Sequence, residues 1–396
     1  VTNASASQSP IRLGFIGVAN QGTINMKDFF KQEDARVVAV CDVDAGHLAK
    51  AKELVDEHYG DTACLTFHDF RELNASPEID AVVVTTPDHW HTLMAIDAME
   101  KGKDVYCEKP LTLTIAEGRA ICDAVERTGR ILQTGSQQRS MAEFRQACEL
   151  VRNGALGELQ AVETRIPKNN KECEPTWEPM PVPEGFDYDF WLGPAPQAEY
   201  HEQRCHYQFR FVRDYSGGQV TNFGAHHLDI AQWAMGMDGS GPVTVRGQGE
   251  FPESGLFTTA TKVDFTLVYA NGVEVRCETG GSSVTFVGSK GTLTVGRGKI
   301  ESEPASILDF EIPEDGVRLY KSDSHSGNFL ACIRNREQPV CPAEVGHRSA
   351  TCCHLANIAM LLGRELTWDP ANECFVDDDE ANAMRSRPYR SPWQLG

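Results

Sequence analysis

The sequence has no apolar run near the ~18 residues that a membrane-spanning helix needs; the best, Ile79 to Pro87, stops at strand length. It is also short of positive charge. Lys and Arg number 37 against 57 Asp and Glu, a net charge of −20. A chain this acidic repels phosphate backbones and anionic lipid, which excludes nucleic acid and membrane surfaces as partners. No C-x-x-C pair occurs. Cys352-Cys353-His354 and Cys341 with His347 are therefore read as metal-free, because adjacent helical cysteines face apart. Repeats and low-complexity tracts are absent as well. An initiator methionine is missing: Val1 opens a small, polar stretch, residues 1–10, expected to be the remnant of an export leader. That leaves the compartment open between the cytoplasm and the bacterial periplasm.

What is present is enough apolar sequence to exclude disorder, on a chain of 396 residues, which predicts two domains. The 13 cysteines are an odd number, and Cys41, Cys107, Cys122, Cys148, Cys277 and Cys352 fall inside apolar patterns. They read as reduced core thiols rather than a disulfide framework. Residues 11–138 alternate apolar strands (Ile11 to Gly17, Arg36 to Asp42, Ile79 to Thr85, Asp104 to Cys107, Arg130 to Thr134) with helical stretches (Ala45 to His58, His89 to Lys101, Thr114 to Thr128). That order predicts a doubly wound parallel sheet.

Residues 139–396 read differently. Residues 167–215 are rich in Pro, aromatic and charged residues and are expected to form surface loops. β-Branched strands follow at Val243 to Phe251, Thr261 to Tyr269, Val273 to Glu278, Ser283 to Val287 and Thr292 to Val295, with a hairpin turn at Ala270-Asn271-Gly272. With no helices between them, they predict a second α/β domain around a large, mostly antiparallel open sheet. A late helix, Ser349 to Leu362, and a tail (about 328–396) are expected to pack back across the domains. An antiparallel sheet without flanking helices needs a cover, and a second copy is the simplest, so a homodimer or homotetramer is expected.

Three segments carry chemistry. Gly17-Val18-Ala19-Asn20-Gln21-Gly22 follows the first strand and opens a helix, a G-x-G-x-x-G pattern with Ala19 in the middle. Such a turn brings backbone N–H groups to a pyrophosphate. Asp42 ends the second strand, where a carboxylate binds the adenosine ribose diol and repels a 2′-phosphate, so NAD is expected in preference to NADP. Thr85-Thr86-Pro87-Asp88-His89-Trp90-His91 and Cys107-Glu108-Lys109-Pro110 close two further parallel strands at the edge where ligands bind. Finally Gly217-Gly218 precedes a helix that places Asn222, His226, Asp229 and Trp233 on one face.

As a set these motifs strongly resemble the Gfo/Idh/MocA family of NAD(P)-dependent oxidoreductases, which act mostly on sugars and polyols. The resemblance implies that Lys109 binds the reacting hydroxyl beside the nicotinamide and that His226 is the acid/base. It implies that Glu108 contacts the nicotinamide side, and that Thr86, Pro87, His89 and Gln138 line the cofactor cleft. Asn222 departs from the family pattern, which has aspartate four residues before the histidine. An amide orients an imidazole but does not balance its charge, so Asp229 or Asp214 is considered as a helper. Arg139, His206, Arg210, Arg213, Asp214 and His227 are candidate substrate contacts, the aromatic loop around Tyr207 and Phe209 suiting a carbohydrate. The expected function is oxidation of a sugar or polyol CH–OH. The alternatives are a redox-neutral glycosidase or epimerase with tightly bound NAD, and a non-catalytic dinucleotide-binding protein.

Overall fold

The computed structural model describes residues 9–395, so most of the expected leader remnant lies outside the described residues. Strands β1 (Ile11–Ile16), β2 (Ala35–Cys41), β3 (Leu65–Phe67), β4 (Ala81–Val84), β5 (Asp104–Cys107) and β6 (Leu132–Thr134) form one parallel sheet. Their spatial order is β3-β2-β1-β4-β5-β6, so the crossovers reverse direction between β1 and β4. Ligands bind in the crevice that such a reversal opens at the carboxyl edge. β4 is buried on both faces, as its unbroken Ala-Val-Val-Val run requires.

Helices α1 (Asn20–Phe29), α2 (Ala45–Tyr59), α3 (Phe70–Ala75), α4 (Asp88–Glu100) and α5 (Ile115–Thr128) flank this sheet. Local sequence sets their ends. The Asp44 side chain caps α2 by accepting from Gly46 N and His47 N. Thr114 and Glu117 make a reciprocal capping box at the start of α5, and left-handed Gly60 and Gly129 close α2 and α5. β3 and α3 are absent from the sequence expectation, because an exposed three-residue strand has too few side chains to show a period.

The second domain is built on a nine-stranded sheet. Its strands are β7 (Leu159–Ile166), β8 (Thr244–Glu250), β9 (Lys262–Val268), β10 (Glu274–Thr279), β11 (Ser283–Gly288), β12 (Gly291–Gly296), β13 (Lys299–Glu303), β14 (Leu366–Asp369) and β15 (Cys374–Phe375). The order is β13-β12-β11-β7-β10-β9-β8-β14-β15. The sheet is antiparallel as expected, apart from the parallel pair β7 and β10. β7, unpredicted, sits at its centre.

Helices α6 (Ala142–Arg152), α7 (Tyr188–Leu192), α8 (Gln219–Asn222), α9 (Gly224–Met235), α10 (His325–Asn335) and α11 (Ala343–Leu362) complete the described core. α6, α9 and α11 cover the apolar face of the sheet, where Phe265, Leu267, Val275, Val284, Phe286 and Leu293 are buried. The other face is charged, with pairs Arg246–Glu274, Lys262–Glu250 and Arg165–Glu278. A polar face of this kind is stable in water. Residues 167–215 also differ from simple surface loops: Phe186, Tyr188, Trp191, Tyr200, Phe211 and Tyr215 bury one another in a separate aromatic core. α10 returns to the first domain, where Phe329 meets Phe29 edge-on and Ser326 donates to Asp28. All 13 cysteines are free, ten of them buried.

Candidate active site

The cleft begins at the β1–α1 turn. Gly17 has φ +80, and a Cβ there would lie 2.9 Å from the Thr85 carbonyl carbon. A Cβ on Gly22 would meet the Gly17 carbonyl oxygen at 2.1 Å, so the turn closes only with glycine at both positions. Ala19 and Asn20 then start α1 with no side-chain cap, which leaves its first N–H groups facing the cleft. Asp42 is held from behind: Oδ2 accepts from Val18 N at 3.0 Å and Oδ1 from Asp44 N at 2.9 Å. Gly17, Ala19, Asn20, Gln21, Asp42, Thr86, Pro87, Glu108 and Lys109 line one continuous cavity. Gly22 acts beneath it. The Thr86 hydroxyl there is buried without a partner. A cradle that side chains would fill, a half-buried carboxylate and an orphaned hydroxyl fit a nicotinamide dinucleotide.

Glu108 is fixed by two amides, Asn25 Nδ2 and Gln137 Nε2, each 2.8 Å from Oε1. His91 stitches the two strand-end segments together. Its Nδ1 lies 2.9 Å from the Pro110 carbonyl and its Nε2 2.9 Å from the Thr86 carbonyl. Carbonyls only accept, so both ring nitrogens donate and the imidazole carries two protons. Burial opposes that charge, but Cys107, Asp88 and the Pro110 carbonyl outweigh it and hold the pKa up at about 10. Neither His91 nor Asp88 was singled out from sequence. Asp88 is fully buried, accepts a 2.6 Å hydrogen bond from Ser216, and has its pKa raised by burial.

The second domain supplies the facing wall. Gly218 has φ +72, and a Cβ there would lie 2.8 Å from Thr259, so the chain turns tightly into α8. Asn222 and His226 then face the cavity that also contains Lys109, Glu108, Gln138 and Arg210. Lys109 Nζ donates to Asn222 O at 2.9 Å and to Asn222 Oδ1 at 3.1 Å. Asn222 therefore holds the lysine and does not orient His226, whose Nδ1 is buried without a partner. Burial, then Lys109 and Arg297, push the His226 pKa well below the ordinary imidazole value. Burial also lowers that of Lys109, against the pull of Glu108 and Asp88. The cavity thus pairs a neutral base with a desolvated ammonium.

Several expected contacts lie elsewhere. Arg139 is buried in a double ion pair, 2.8 Å from Asp229 and 2.7 Å from Asp238, with its guanidinium over Trp233. Asp229 is consequently spent on Arg139 and Ser349 and gives His226 no help. His227 is buried against the second sheet, where burial holds its pKa at about 4. His89 turns away from the nucleotide cleft and sits with Nε2 3.0 Å from the Trp191 carbonyl. Arg213 and Asp214 line a different cavity, near Glu117 and Tyr389. His206 and Arg210 do reach the cleft, within an aromatic strap of Phe186, Trp191, Tyr207 and Phe209 that borders the dinucleotide cavity. Arg210 lies over the Tyr207 ring at 3.8 Å.

Comparison with known proteins follows the same division of the chain. Residues 11–136 match the Gfo/Idh/MocA model described as oxidoreductase family, NAD-binding Rossmann fold. Residues 167–395 match its companion, the oxidoreductase family C-terminal alpha/beta domain. Among curated proteins, glycosyl hydrolase family 109 protein 1 of Shewanella sp. (strain MR-4) is 35% identical over 152 residues, 38% of this chain and 33% of that protein. An alpha-N-acetylgalactosaminidase of Shewanella oneidensis is 36% identical over a segment of the same size. The matched segment spans about a third of those relatives. Among solved structures, the aldose-aldose oxidoreductase from Caulobacter crescentus complexed with glycerol has a TM-score of 0.68 at 22% identity, covering 90% of this chain and 99% of that one. The WlbA dehydrogenase from Bordetella pertussis, in complex with NADH and UDP-GlcNAcA, has a TM-score of 0.68 at 18% identity, covering 91% and 99%. At these identities the likeness is one of fold.

Proposed function

The chain belongs to the Gfo/Idh/MocA oxidoreductase family, and from that premise we propose that it oxidises a CH–OH carbon of a sugar, polyol or sugar derivative. One observation carries the reading: Lys109 of the first domain is joined to Asn222 of the second, in the cavity that His226 also lines. NAD, when bound, supplies the hydride acceptor. The chain's own residues do the rest. Lys109 places an ammonium at the reacting hydroxyl and stabilises the developing alkoxide. Asn222 fixes that ammonium by two hydrogen bonds. His226 is neutral at working pH and takes the hydroxyl proton. Glu108, immobilised by Asn25 and Gln137, presents a fixed carboxylate to the nicotinamide side. Asp42 receives the adenosine ribose and favours NAD over NADP. Arg210 and Tyr207 offer a polar and aromatic face to a carbohydrate.

A second reading, a redox-neutral glycosidase or epimerase that keeps its NAD, draws support from the aromatic strap beside the dinucleotide cavity and from the family 109 relatives. Both readings begin with the same hydride abstraction. A sugar panel with free NAD, followed at 340 nm, tests the first: NADH accumulation supports it. Release of the nitrophenol from a nitrophenyl α-N-acetylgalactosaminide without NADH, with NAD recovered from the denatured supernatant, supports the second. Absence of NADH across the panel refutes the first; absence of both nitrophenol release and any epimerised sugar in the product mixture refutes the second.

A further inference from the structure

We infer that Asp44, His47 and His206 form a site for a divalent cation of the zinc class, built across the seam between the two domains. One donor atom from each residue lies within 4.8 Å of the other two. Asp44 Oδ2 is 3.9 Å from His47 Nδ1 and 3.9 Å from His206 Nε2. These distances exceed a hydrogen bond, so the three groups surround a common point without satisfying one another. Two imidazoles and a carboxylate are the borderline donor set that zinc takes, at roughly 2.0–2.2 Å per ligand. Small side-chain rotations close the remaining gap.

The local structure leaves each donor available. Asp44 caps α2 with Oδ1 alone, accepting from Gly46 N at 2.8 Å and His47 N at 3.1 Å, which leaves Oδ2 turned toward the rings. His47 stands on the first turn of α2 and meets the His206 ring edge-on, centroids 4.9 Å apart. His206 arrives from the aromatic strap at φ +49, a backbone conformation that is costly for a histidine and that packing on Phe186 helps to hold. Asp42 Oδ1 lies 3.9 Å from His47 Nδ1 and adds negative charge behind the site without being a ligand. All three ligands are partly exposed, so an ion has a way in. A metal there ties α2 to the strap beside Asp42. On the NAD reading above, it closes the adenosine end of the cleft and slows release of the dinucleotide.

The test is calorimetric titration of chelator-treated protein with Zn2+. One ion per chain, with a Kd tighter than about 10 µM, is expected. His47→Gln and His206→Asn should each weaken it at least tenfold; asparagine is chosen because it tolerates the positive φ. Unchanged melting temperatures of the metal-free variants exclude misfolding as the cause. No uptake, or uptake that survives both substitutions, overturns the site. Zn2+ should also slow NAD release at least fivefold in the wild type and not in either variant. Metal binding without that slowing overturns the clasp. The calorimetry decides the site even for a protein that binds no NAD, so its failure is distinct from failure of the proposed function.

Discussion

The two walls of the cleft treat charge in opposite ways. On the first-domain wall three ionisable groups are already engaged: Asp42 by two backbone amides, Glu108 by two side-chain amides, His91 by two carbonyls. On the second-domain wall His226 Nδ1 has no partner, and Arg210 and Arg297 have no carboxylate within salt-bridge distance among the described residues. Lys109 crosses from one wall to the other. On the proposed function, the difference separates two tasks. A wall that binds gains from donors and acceptors fixed in advance. A wall that takes a proton needs a group left desolvated and free to change charge.

The comparison breaks most sharply at the pair proposed to react. Lys109→Met and His226→Ala are each expected to lower turnover at least a hundredfold, about 2.7 kcal/mol. NAD affinity should change less than threefold, about 0.7 kcal/mol. Turnover on a confirmed substrate together with NAD titration checks both halves. A Lys109→Met enzyme with near-normal turnover would show that the two walls share the chemistry differently.

On the engaged wall the cost should appear in stability. His91→Leu strands two buried carbonyls and is expected to cost about 2 kcal/mol, read from urea denaturation. Asp42→Ala tests the same wall through specificity. Wild-type protein should bind NAD at least tenfold more tightly than NADP, about 1.4 kcal/mol, and the variant should narrow that gap. Equal wild-type affinities in calorimetry would remove Asp42 from the role.

The last effect, confined to acidic pH, concerns histidines that neither wall uses. Burial holds His354 at about 3 and His227 at about 4. These folded-state values lie below the ~6.5 of an unfolded imidazole. Their stabilisation is therefore complete above pH 6.5 and is lost as pH falls toward the folded values. His354→Gln removes one such titration and should flatten the stability slope between pH 6.5 and 4 by up to about 1.4 kcal/mol per unit. An unchanged slope would mean that His354 does not titrate on unfolding.

Much of the first domain was legible because its signals are local. β1, β2, β4 and β5 are continuous apolar runs, and α2 and α5 carry their own caps. The glycine turn, Asp42 and the Glu-Lys-Pro segment keep fixed positions relative to those strands. In the second domain β7 escaped notice because its eight residues mix polar and apolar side chains without a clean period of two, and because it joins strands far along the chain. Asn222 shows the same limit at the site. Its helical spacing from His226 was readable, while its bond to Lys109 joins two domains and leaves no periodic trace.

By itself the sequence determined the parallel sheet, the glycine turn, the place of Lys109 at a strand end and that of His226 on the helix after Gly217-Gly218, since these depend on side-chain period and on groups within a few residues of an element's end. Tertiary structure alone decided which of several similar residues face the cleft. Arg139 is consumed by Asp229 and Asp238, while Arg210 has no carboxylate partner among the described residues. His206 comes to rest beside Asp44 and His47, where Cys352, Cys353 and His354 had drawn attention in the sequence. A guanidinium or imidazole has the same chemistry at either kind of position. Packing across the domain seam decides which partner reaches it first, and that choice is made by contacts distant along the chain.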